Sequence, residues 1–263
     1  MKILLLGAKG QVGWELNRCL GPLGELVTTA RSAGANLQLD TGDLDRLRAT
    51  LDSVEPELVV NATAYTAVDR AESEPDRAML LNAEVPRTIG AWAAACGAAV
   101  IHFSTDYVFD GNKDSPYVET DTPNPASAYG LSKLRGDEAL LASGCEAVIL
   151  RVSWVYGMRG SNFLLTMRRL MSERDELNIV DDQVGAPTWS RSVAQASSLV
   201  AYRVLHPNAA QVQPSGVYHL SPGGSTSWYG FARRIRDTLG LACRLNPIPT
   251  SGYPTPAQRP ANS

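Results

Sequence analysis

The chain has 263 residues, of which 44% are hydrophobic and 19% are charged, and its formal net charge is −3. This length supports one large domain or two modest ones, and the weak charge lacks the basic excess expected of a protein that binds nucleic acid or an anionic membrane. The four cysteines lie far apart with no Cys-x-x-Cys pair, which argues against a disulfide framework or a zinc site. The apolar run at residues 3–6 is too short for a signal peptide or a membrane span, so we expect a cytoplasmic protein with no membrane partner.

Strands and helices are predicted to alternate over the first part of the chain. Apolar runs at residues 3–6, 25–29, 36–39, 58–61, 98–103 and 147–152 predict strands, and helical patterns are predicted between most of them. A long helical pattern covers residues 69–92, and another begins near 127 and ends before 144. Such alternation predicts an α/β fold, a Rossmann-like doubly wound parallel sheet, over residues 1–157.

The alternation ends after Gly157. Helices are predicted at 162–174, 190–205 and 227–239, and strands at 177–180 and 216–220. Residues 246–263 contain five prolines and no periodic pattern, which predicts coil. We therefore expect residues 158–263 to form mainly a smaller C-terminal substrate-binding lobe, with the helix near 190–205 able to pack back on the first domain.

The first strand is followed by three glycines at three-residue steps. Gly7, Gly10 and Gly13 separate the strand at 3–6 from a helical pattern that follows. Glycines in such a turn let the backbone approach a pyrophosphate, and the amides at the helix N-terminus then face the anion. The spacing differs from the G-x-G-x-x-G fingerprint, so an ordinary turn is the alternative, but the position directly after a buried strand favours a dinucleotide site.

The end of the second predicted strand indicates which dinucleotide is bound. An acid that would bind the adenosine ribose hydroxyls is missing there, and the chain has Arg31 and Ser32 instead. A guanidinium beside a hydroxyl suits a 2′-phosphate, so NADPH is the expected cofactor and NADH is the alternative. Asp40, after the third strand, is a candidate acceptor for the adenine amino group. Small residues at 62–66 suit packing beneath a cofactor.

A strand and the helix after it carry the candidate catalytic groups. The strand at 98–103 delivers Ser104 and Thr105 to its carboxyl end, and the next helical pattern carries Tyr129 and Lys133. Positions i and i+4 share one face of a helix, so the Lys133 ammonium is expected to lower the pKa of the Tyr129 phenol toward neutrality. Such a phenol can protonate an oxygen that gains charge while a hydride arrives at its carbon, and a cofactor must supply that hydride. A Tyr-x-x-x-Lys pair also arises by chance on surface helices, so the assignment depends on the rest of the chain.

His102 lies inside the same apolar strand and is interpreted as a core residue. His206 and His219 have no metal-ligand spacing, and residues 110–125 are predicted to form a loop above the site. Arg259, in the proline-rich segment, is a candidate phosphate ligand if that segment forms a wall of the substrate pocket; a simple tail is the alternative.

These motifs together resemble the extended short-chain dehydrogenase/reductase family, and within it the reductases of dTDP-linked 4-keto sugars. The resemblance covers nearly the whole chain; it runs through residues 7–16, 66–72, 104–111, 129–133, 153–156, 162–163, 182–188 and 253–260. It implies hydride transfer from NADPH to C4 of dTDP-4-dehydro-6-deoxy-L-mannose.

The resemblance also implies roles for individual residues. Tyr129 is the implied proton donor, Lys133 lowers its pKa and holds the nicotinamide ribose, and Thr105 hydrogen-bonds the substrate carbonyl. Asp106 and Trp154 match substrate-contacting positions. The implied cofactor contacts are Gly10, Gln11, Val12, Ala64, Tyr65 and Thr66.

Two departures from the family pattern give further expectations. Relatives continue past the position of Ser263 into a helical segment, so part of the small lobe is expected to be missing from this chain. Some relatives bind Mg²⁺ at a dimer interface, where Glu15 matches one ligand position but Arg191 replaces an acid. We expect no functional magnesium site and no other metal, and a monomer or homodimer.

Two other functions share these motifs. A non-catalytic, NADP-binding regulatory subunit would bind NADPH without oxidising it, although the complete set of Thr105, Tyr129 and Lys133 favours catalysis. A nucleotide-sugar epimerase or dehydratase uses the same Tyr and Lys but retains NAD, and Arg31 fits an exchanging NADPH better.

Overall fold

The computed structural model describes residues 1–206 and 215–263. Strands in the described residues are β1 (Lys2–Leu6), β2 (Glu25–Ala30), β3 (Leu37–Gln38), β4 (Leu58–Asn61), β5 (Ala99–Thr105), β6 (Glu146–Val152), β7 (Val155–Tyr156), β8 (Glu176–Val180), β9 (Val184–Gly185), β10 (Thr188–Trp189), β11 (Gly216–Leu220), β12 (Thr226–Ser227) and β13 (Arg244–Ile248). Helices are α1 (Gln11–Leu20), α2 (Leu44–Val54), α3 (Val68–Ala71), α4 (Pro75–Met79), α5 (Val85–Cys96), α6 (Ala128–Ala142), α7 (Phe163–Glu173), α8 (Ser190–Leu205) and α9 (Trp228–Leu239). None of these helices is both long enough and apolar enough to cross a membrane.

Seven strands form one parallel sheet in the order β11-β6-β5-β4-β1-β2-β3. The apolar runs of β1, β4 and β5 are buried on both faces because helices cover both sides of the sheet. Strand order reverses between β1 and β4, which is where an open α/β sheet leaves a crevice at its carboxyl edge. The predicted Rossmann-like doubly wound sheet is confirmed.

The two faces of the sheet are covered by different helices. On one face, α1 and α8 pack with Leu16, Leu20, Val193 and Ala201 against the strands. On the other face, α2, α5 and α6 provide buried residues such as Leu47, Leu51, Ile89 and Leu140. The two packed layers fix the strand ends and α6 relative to one another.

The strand at 216–220, expected in the second lobe, belongs to the large sheet, and the helix at 190–205 packs back on the first domain, the arrangement that the sequence analysis allowed. β11 pairs with β6 in register from Gly216 with Val148 to Leu220 with Val152. α8 packs on α1 through the same buried cluster as the sheet. The remainder of residues 158–263 has its own small core between α7, α9, β8 and β13. A functional division of the chain at residue 157 stays a prediction.

Two local predictions were wrong. The single helix expected over residues 69–92 is divided into α3, α4, a π-helical turn at Leu80–Glu84 and α5. Prolines explain part of the division, because Pro75 begins α4 and Pro86 lies in the first turn of α5, positions that tolerate a missing N–H. The coil expected over residues 246–263 begins within β13, which pairs with β8 and includes Pro247. Proline is tolerated there because β13 lies at the edge of a two-stranded sheet.

Candidate active site

The glycine turn between β1 and α1 is shaped by close backbone contacts. Gly7 has a φ of +81°, and a Cβ there would lie 2.9 Å from Thr63 Cγ2 and 3.0 Å from the Ala62 oxygen. A Cβ on Gly13 would lie 2.1 Å from the Gly7 oxygen. The Gly10 amide donates to the Gly7 oxygen over 2.9 Å and closes the turn. The absence of side chains therefore allows β1, the loop after β4 and α1 to meet, and leaves backbone open to a ligand.

A cleft of about 450 Å³ opens beside this turn at the carboxyl edge of the sheet. Among its lining residues are seven of the predicted cofactor contacts: Gly7, Gly10, Arg31, Asp40, Ala64, Tyr65 and Thr66. Arg31 is exposed, and Ser32 lines the same cleft. The shape and the donor groups fit a dinucleotide whose pyrophosphate lies against the glycine turn.

Five other predicted cofactor residues are not among those that line that cleft: Gln11, Val12, Gly13, Tyr129 and Lys133. Val12 packs against the buried cluster beneath α1, and Gly13 is buried where α1 meets β1. The Gln11 side chain is hydrogen-bonded to the chain after β6: its Nε2 donates to the Val155 oxygen over 3.0 Å and its Oε1 accepts from Asn162 over 2.6 Å. Any contact of Gln11 with a cofactor is therefore expected through its backbone.

Thr105, Tyr129 and Lys133 converge where β5 ends and α6 begins. Thr105 is the last residue of β5, and α6 starts one residue before Tyr129, with the Ser127 hydroxyl capping the helix by accepting from the Gly130 amide. A Cβ on Gly130 would lie 2.2 Å from the Tyr107 oxygen, so the absence of one permits close approach of the helix to the segment after β5. Tyr107 packs edge-on to Tyr129 with 5.9 Å between ring centroids.

The protonation of this group differs from the sequence expectation. Burial raises the pKa of Tyr129 to about 12, and the opposing interaction with the Thr105 side chain lowers the pKa by less. The Lys133 amine is buried and donates to the Phe103 oxygen over 2.6 Å, and burial lowers the pKa of Lys133 to about 8. The pKa of Tyr129 is therefore raised here rather than lowered toward neutrality, because burial is its largest influence. The expected role of Lys133 in lowering that pKa stays a prediction.

The predicted substrate residues lie around this centre, but several are already hydrogen-bonded within the chain. Ser104 is buried and donates to Asp137 over 2.9 Å. Asp106 accepts from Thr105 over 3.0 Å and from Ser153 over 2.8 Å, and burial raises the pKa of its carboxyl group. These contacts hold the Asp106 carboxylate beside the Thr105 hydroxyl.

Trp154 lies between β6 and β7, and Arg259 lies in the C-terminal segment. Trp154 has a φ of +43° and stacks on Trp228, with ring centroids 3.4 Å apart and planes within 2°. Arg259 forms two parallel hydrogen bonds with Asp69, of 3.0 Å from Nη1 and 2.8 Å from Nη2. The ion pair ties the C-terminal segment to the start of α3, so Arg259 is not an unengaged phosphate ligand.

Sequence reasoning missed four residues that hold this site together. The Asp137 carboxylate is buried against Arg151 of β6, whose Nε lies 3.3 Å away. Asn82 lies in the π-helical turn and hydrogen-bonds both Tyr65 and Ser132, and His102, predicted as core, lies 3.3 Å from the Lys133 amine. The one available signal was the spacing of Asp137 four residues after Lys133, on the same helix face.

A metal site is not apparent in the described ranges. Across residues 1–206 and 215–263, no three or more His, Cys, Asp or Glu side chains are grouped so as to hold an ion. The magnesium expectation stays a prediction.

Known proteins that resemble this chain over its whole length belong to one protein family. Its sequence is 47% identical to dTDP-4-dehydrorhamnose reductase of Burkholderia thailandensis and 44% identical to that of Escherichia coli K12, covering all of this chain and 89% and 88% of those proteins. The crystal structure of a dTDP-4-dehydrorhamnose reductase from Clostridium acetobutylicum superposes with a TM-score of 0.91 at 36% identity, covering all of this chain and 89% of that one. The enzyme of the same name from Bacillus anthracis, solved in complex with NADP, superposes with a TM-score of 0.89 at 31% sequence identity. The match covers 99% of this chain and 88% of that one. The model of the RmlD substrate binding domain family matches residues 1–263, and the chain belongs to that family.

Proposed function

We propose that the chain reduces the C4 keto group of dTDP-4-dehydro-6-deoxy-L-mannose to give dTDP-L-rhamnose, with NADPH as the reductant. The observation that carries this proposal is the convergence of Thr105, Tyr129 and Lys133 at the carboxyl end of β5, beside the β1–β4 crevice. Curated relatives at 44% and 47% identity are named dTDP-4-dehydrorhamnose reductase, which supports the same reaction.

Tyr129 is the proposed proton donor. Burial raises its pKa to about 12, so the phenol carries its proton across the physiological pH range and has one to deliver; a pKa closer to the operating pH would make that transfer faster. Thr105 places a second hydroxyl beside that oxygen, and Asp106 orients the Thr105 hydroxyl by accepting from it. NADPH, when bound, supplies the hydride.

The cleft supports NADPH over NADH. Arg31 and Ser32 line it where the adenosine ribose is expected, and Asp40 lies on the same wall. The guanidinium favours a 2′-phosphate over a bare ribose hydroxyl. Comparing KM for NADPH and NADH in the parent and in Arg31→Asp tests this assignment; a preference for NADH that the substitution fails to strengthen would contradict it.

The decisive assay follows NADPH oxidation with the 4-keto sugar nucleotide generated in situ. We expect turnover by the parent and a loss of at least about 100-fold in kcat for Tyr129→Phe, the range of general acid catalysis. Tyr107→Phe is the matched control, because it removes the hydroxyl of a partly buried tyrosine whose ring centroid lies 5.9 Å from that of Tyr129, and it should retain most activity. NADPH binding without turnover in the parent would favour a regulatory subunit, and epimerase or dehydratase activity with retained cofactor would favour that class.

A further inference from the structure

The short helix α3 lies directly after the loop that lines the cofactor cleft. Thr66 and Ala67 are on the wall of the cleft, and α3 begins at Val68. Asp69 is the second residue of α3 and is not one of the lining residues. A ligand held against Thr66 and Ala67 therefore restricts the position of Asp69, which follows within one turn of backbone.

The Asp69 carboxylate holds the C-terminal segment, residues 253–263. Arg259 donates to both of its oxygens, over 3.0 Å from Nη1 and 2.8 Å from Nη2, and the Ala257 amide donates to Oδ1 over 3.3 Å. Arg259 Nη1 also donates to the Thr255 hydroxyl over 2.6 Å, which closes the turn of the segment. A guanidinium fork on a carboxylate fixes orientation as well as distance, so Asp69 sets how the segment lies on α3.

The pair is charged at neutral pH. The hydrogen bonds from Arg259 hold the pKa of Asp69 below its usual value, so the carboxylate is ionised. The Arg259 side chain is 21% exposed and the Asp69 side chain 40% exposed. Partial burial on the arginine side makes the contact less screened by water than an ion pair on an open surface.

Further along, the C-terminal segment is joined to β9. The Val184 amide donates to the Ala261 oxygen over 2.8 Å, and the Ser263 amide donates to the Val184 oxygen over 3.0 Å. The next residue, Gly185, packs on the Trp154 ring so closely that a Cβ would lie 2.5 Å from Cε2. The segment thus connects Asp69 to the strand that packs on Trp154, a predicted substrate contact.

The cofactor cleft and the C-terminal segment do not share a wall. Within residues 1–206 and 215–263, none of the residues that line the cleft belongs to the segment. A response of the segment to a bound cofactor must then be transmitted through the chain, and α3 with the Asp69–Arg259 pair is a direct connection between them.

We propose that Asp69 is a positioning residue that couples the two binding sites: a cofactor in the cleft fixes α3, and Asp69 then holds Arg259 and the C-terminal segment against β9, beside Trp154. The inference rests on the proposed function for the identity of the two ligands, the cofactor and the sugar nucleotide. Because coupling between sites is reciprocal, each ligand strengthens the binding of the other.

Amide hydrogen exchange followed by mass spectrometry tests the transmission without requiring turnover. Peptides that cover residues 253–263 are compared in the full chain with and without saturating NADP⁺. We expect NADP⁺ to slow their exchange in the parent by about fivefold or more, the lower end of the usual coupling between sites. In Asp69→Ala the slowing should be lost although NADP⁺ still binds.

Glu72→Ala is the matched control. Glu72 is a neighbouring acid that accepts from the Ala128 amide over 2.9 Å, at the start of α6, and does not hold the C-terminal segment. Its removal should leave the slowing intact. Exchange that is unchanged when NADP⁺ binds to the parent, or slowing that persists in Asp69→Ala, would overturn the proposal. If Asp69→Ala does not fold, Asp69→Asn keeps the shape of the side chain and gives the same comparison.

Calorimetric titration with dTDP measures the effect on the second site. We expect the parent to bind dTDP about fivefold or more tightly when NADP⁺ is present, and Asp69→Ala to bind it equally with and without NADP⁺. Asp69→Glu keeps the carboxylate and should restore part of the difference. A purely structural role would weaken dTDP binding by the same factor in both conditions, and that result would overturn the proposal.

Failure of this inference is distinguishable from failure of the proposed function. A chain that binds NADP⁺ and turns over, but shows no transmitted slowing, contradicts the coupling alone. A chain that binds no NADP⁺ contradicts both. If the parent binds no dTDP, the proposed substrate is contradicted, and the exchange measurement still decides the coupling.

Discussion

Asn82 and Ser132 are joined by a hydrogen bond of 2.9 Å between the Asn82 Nδ2 amide and the Ser132 hydroxyl, across the buried contact between the π-helical turn and α6. The same Asn82 side chain accepts from the Tyr65 amide over 2.8 Å and donates to the Tyr65 oxygen over 3.1 Å. Ser132 lies between Tyr129 and Lys133 and donates in turn to the Tyr129 oxygen over 2.7 Å. Asn82 thus links the loop that lines the cleft to the helix that carries Tyr129, the proposed proton donor.

We predict that Asn82→Ala lowers the free energy of unfolding by about 2–4 kcal/mol, because it leaves the two backbone groups of Tyr65 buried without partners. KM for NADPH should rise more than KM for the sugar nucleotide, since Tyr65 lines the cleft. Denaturant unfolding and steady-state kinetics measure both effects. Ser132→Ala is the control; it removes one of the three contacts and should cost about 1 kcal/mol with a smaller change in KM. If Asn82→Ala and Ser132→Ala change the free energy of unfolding and KM for NADPH equally, the hydrogen bonds of Asn82 to Tyr65 do not have the role assigned to them.

Asp137 and Arg151 form a buried ion pair beneath the site, with side chains 1% and 5% exposed. We predict that Asp137→Ala destabilises the fold by about 3–5 kcal/mol, because the guanidinium is left buried without its partner. The double variant Asp137→Leu with Arg151→Met should recover much of that loss, since both charges are then removed. Urea unfolding of the single and double variants tests this coupling. If the double variant loses as much free energy of unfolding as the two single substitutions lose together, the two residues do not act as a coupled pair.

The sheet could be predicted from the sequence because its signal is local. Each buried strand is a short run of apolar residues, and the turn between β1 and α1 is marked by its glycines. The division of the helix at residues 69–92 is also marked locally, by Pro75 and Pro86, but the helical period of the sequence continues across both prolines and predicts a single helix.

The partners of the site residues could not be predicted, because they depend on how distant elements pack. Arg259 meets Asp69 across 190 residues of sequence, and Asn82 meets Ser132 across 50. Whether the buried Lys133 amine contacts a phenol or a carbonyl depends on how α6 is positioned against β5. The hydrophobic periodicity of the sequence does not specify that position. The placement of Tyr129 and Lys133 on one helix follows from their spacing in the sequence, but the Lys133 contacts with Phe103 and His102 do not.

Lys133 is expected to reduce stability at neutral pH. Its pKa in the folded chain is about 8, below the usual 10.5, so between these values the unfolded chain binds more protons and stability rises with pH. Below about pH 8 the buried charge costs on the order of 3 kcal/mol. We predict that Lys133→Met abolishes turnover yet increases the free energy of unfolding at pH 7, and that this gain shrinks toward pH 10.5.

The measurement is denaturant unfolding of the parent and Lys133→Met at several pH values. Lys113→Met is the matched control, because its side chain is 35% exposed in a loop away from α6. Lys113→Met should not show the pH-dependent increase in the free energy of unfolding. If the increase for Lys133→Met is the same at every pH, burial of the lysine charge does not cause it.

Gly185 provides the space for the Trp154 ring. A Cβ at residue 185 would lie 2.5 Å from Trp154 Cε2 and 2.6 Å from Nε1, and the Trp154 ring is also stacked on Trp228. Because that stacking holds the ring in place, we predict that Gly185→Ala displaces Trp154 and costs about 1–3 kcal/mol of stability through overpacking. KM for the sugar nucleotide should rise about tenfold or more, equivalent to about 1.4 kcal/mol, with KM for NADPH nearly unchanged. Gly223→Ala is the control, since a Cβ there meets nothing within 4 Å. A rise confined to KM for NADPH would argue that Trp154 does not contact the sugar nucleotide.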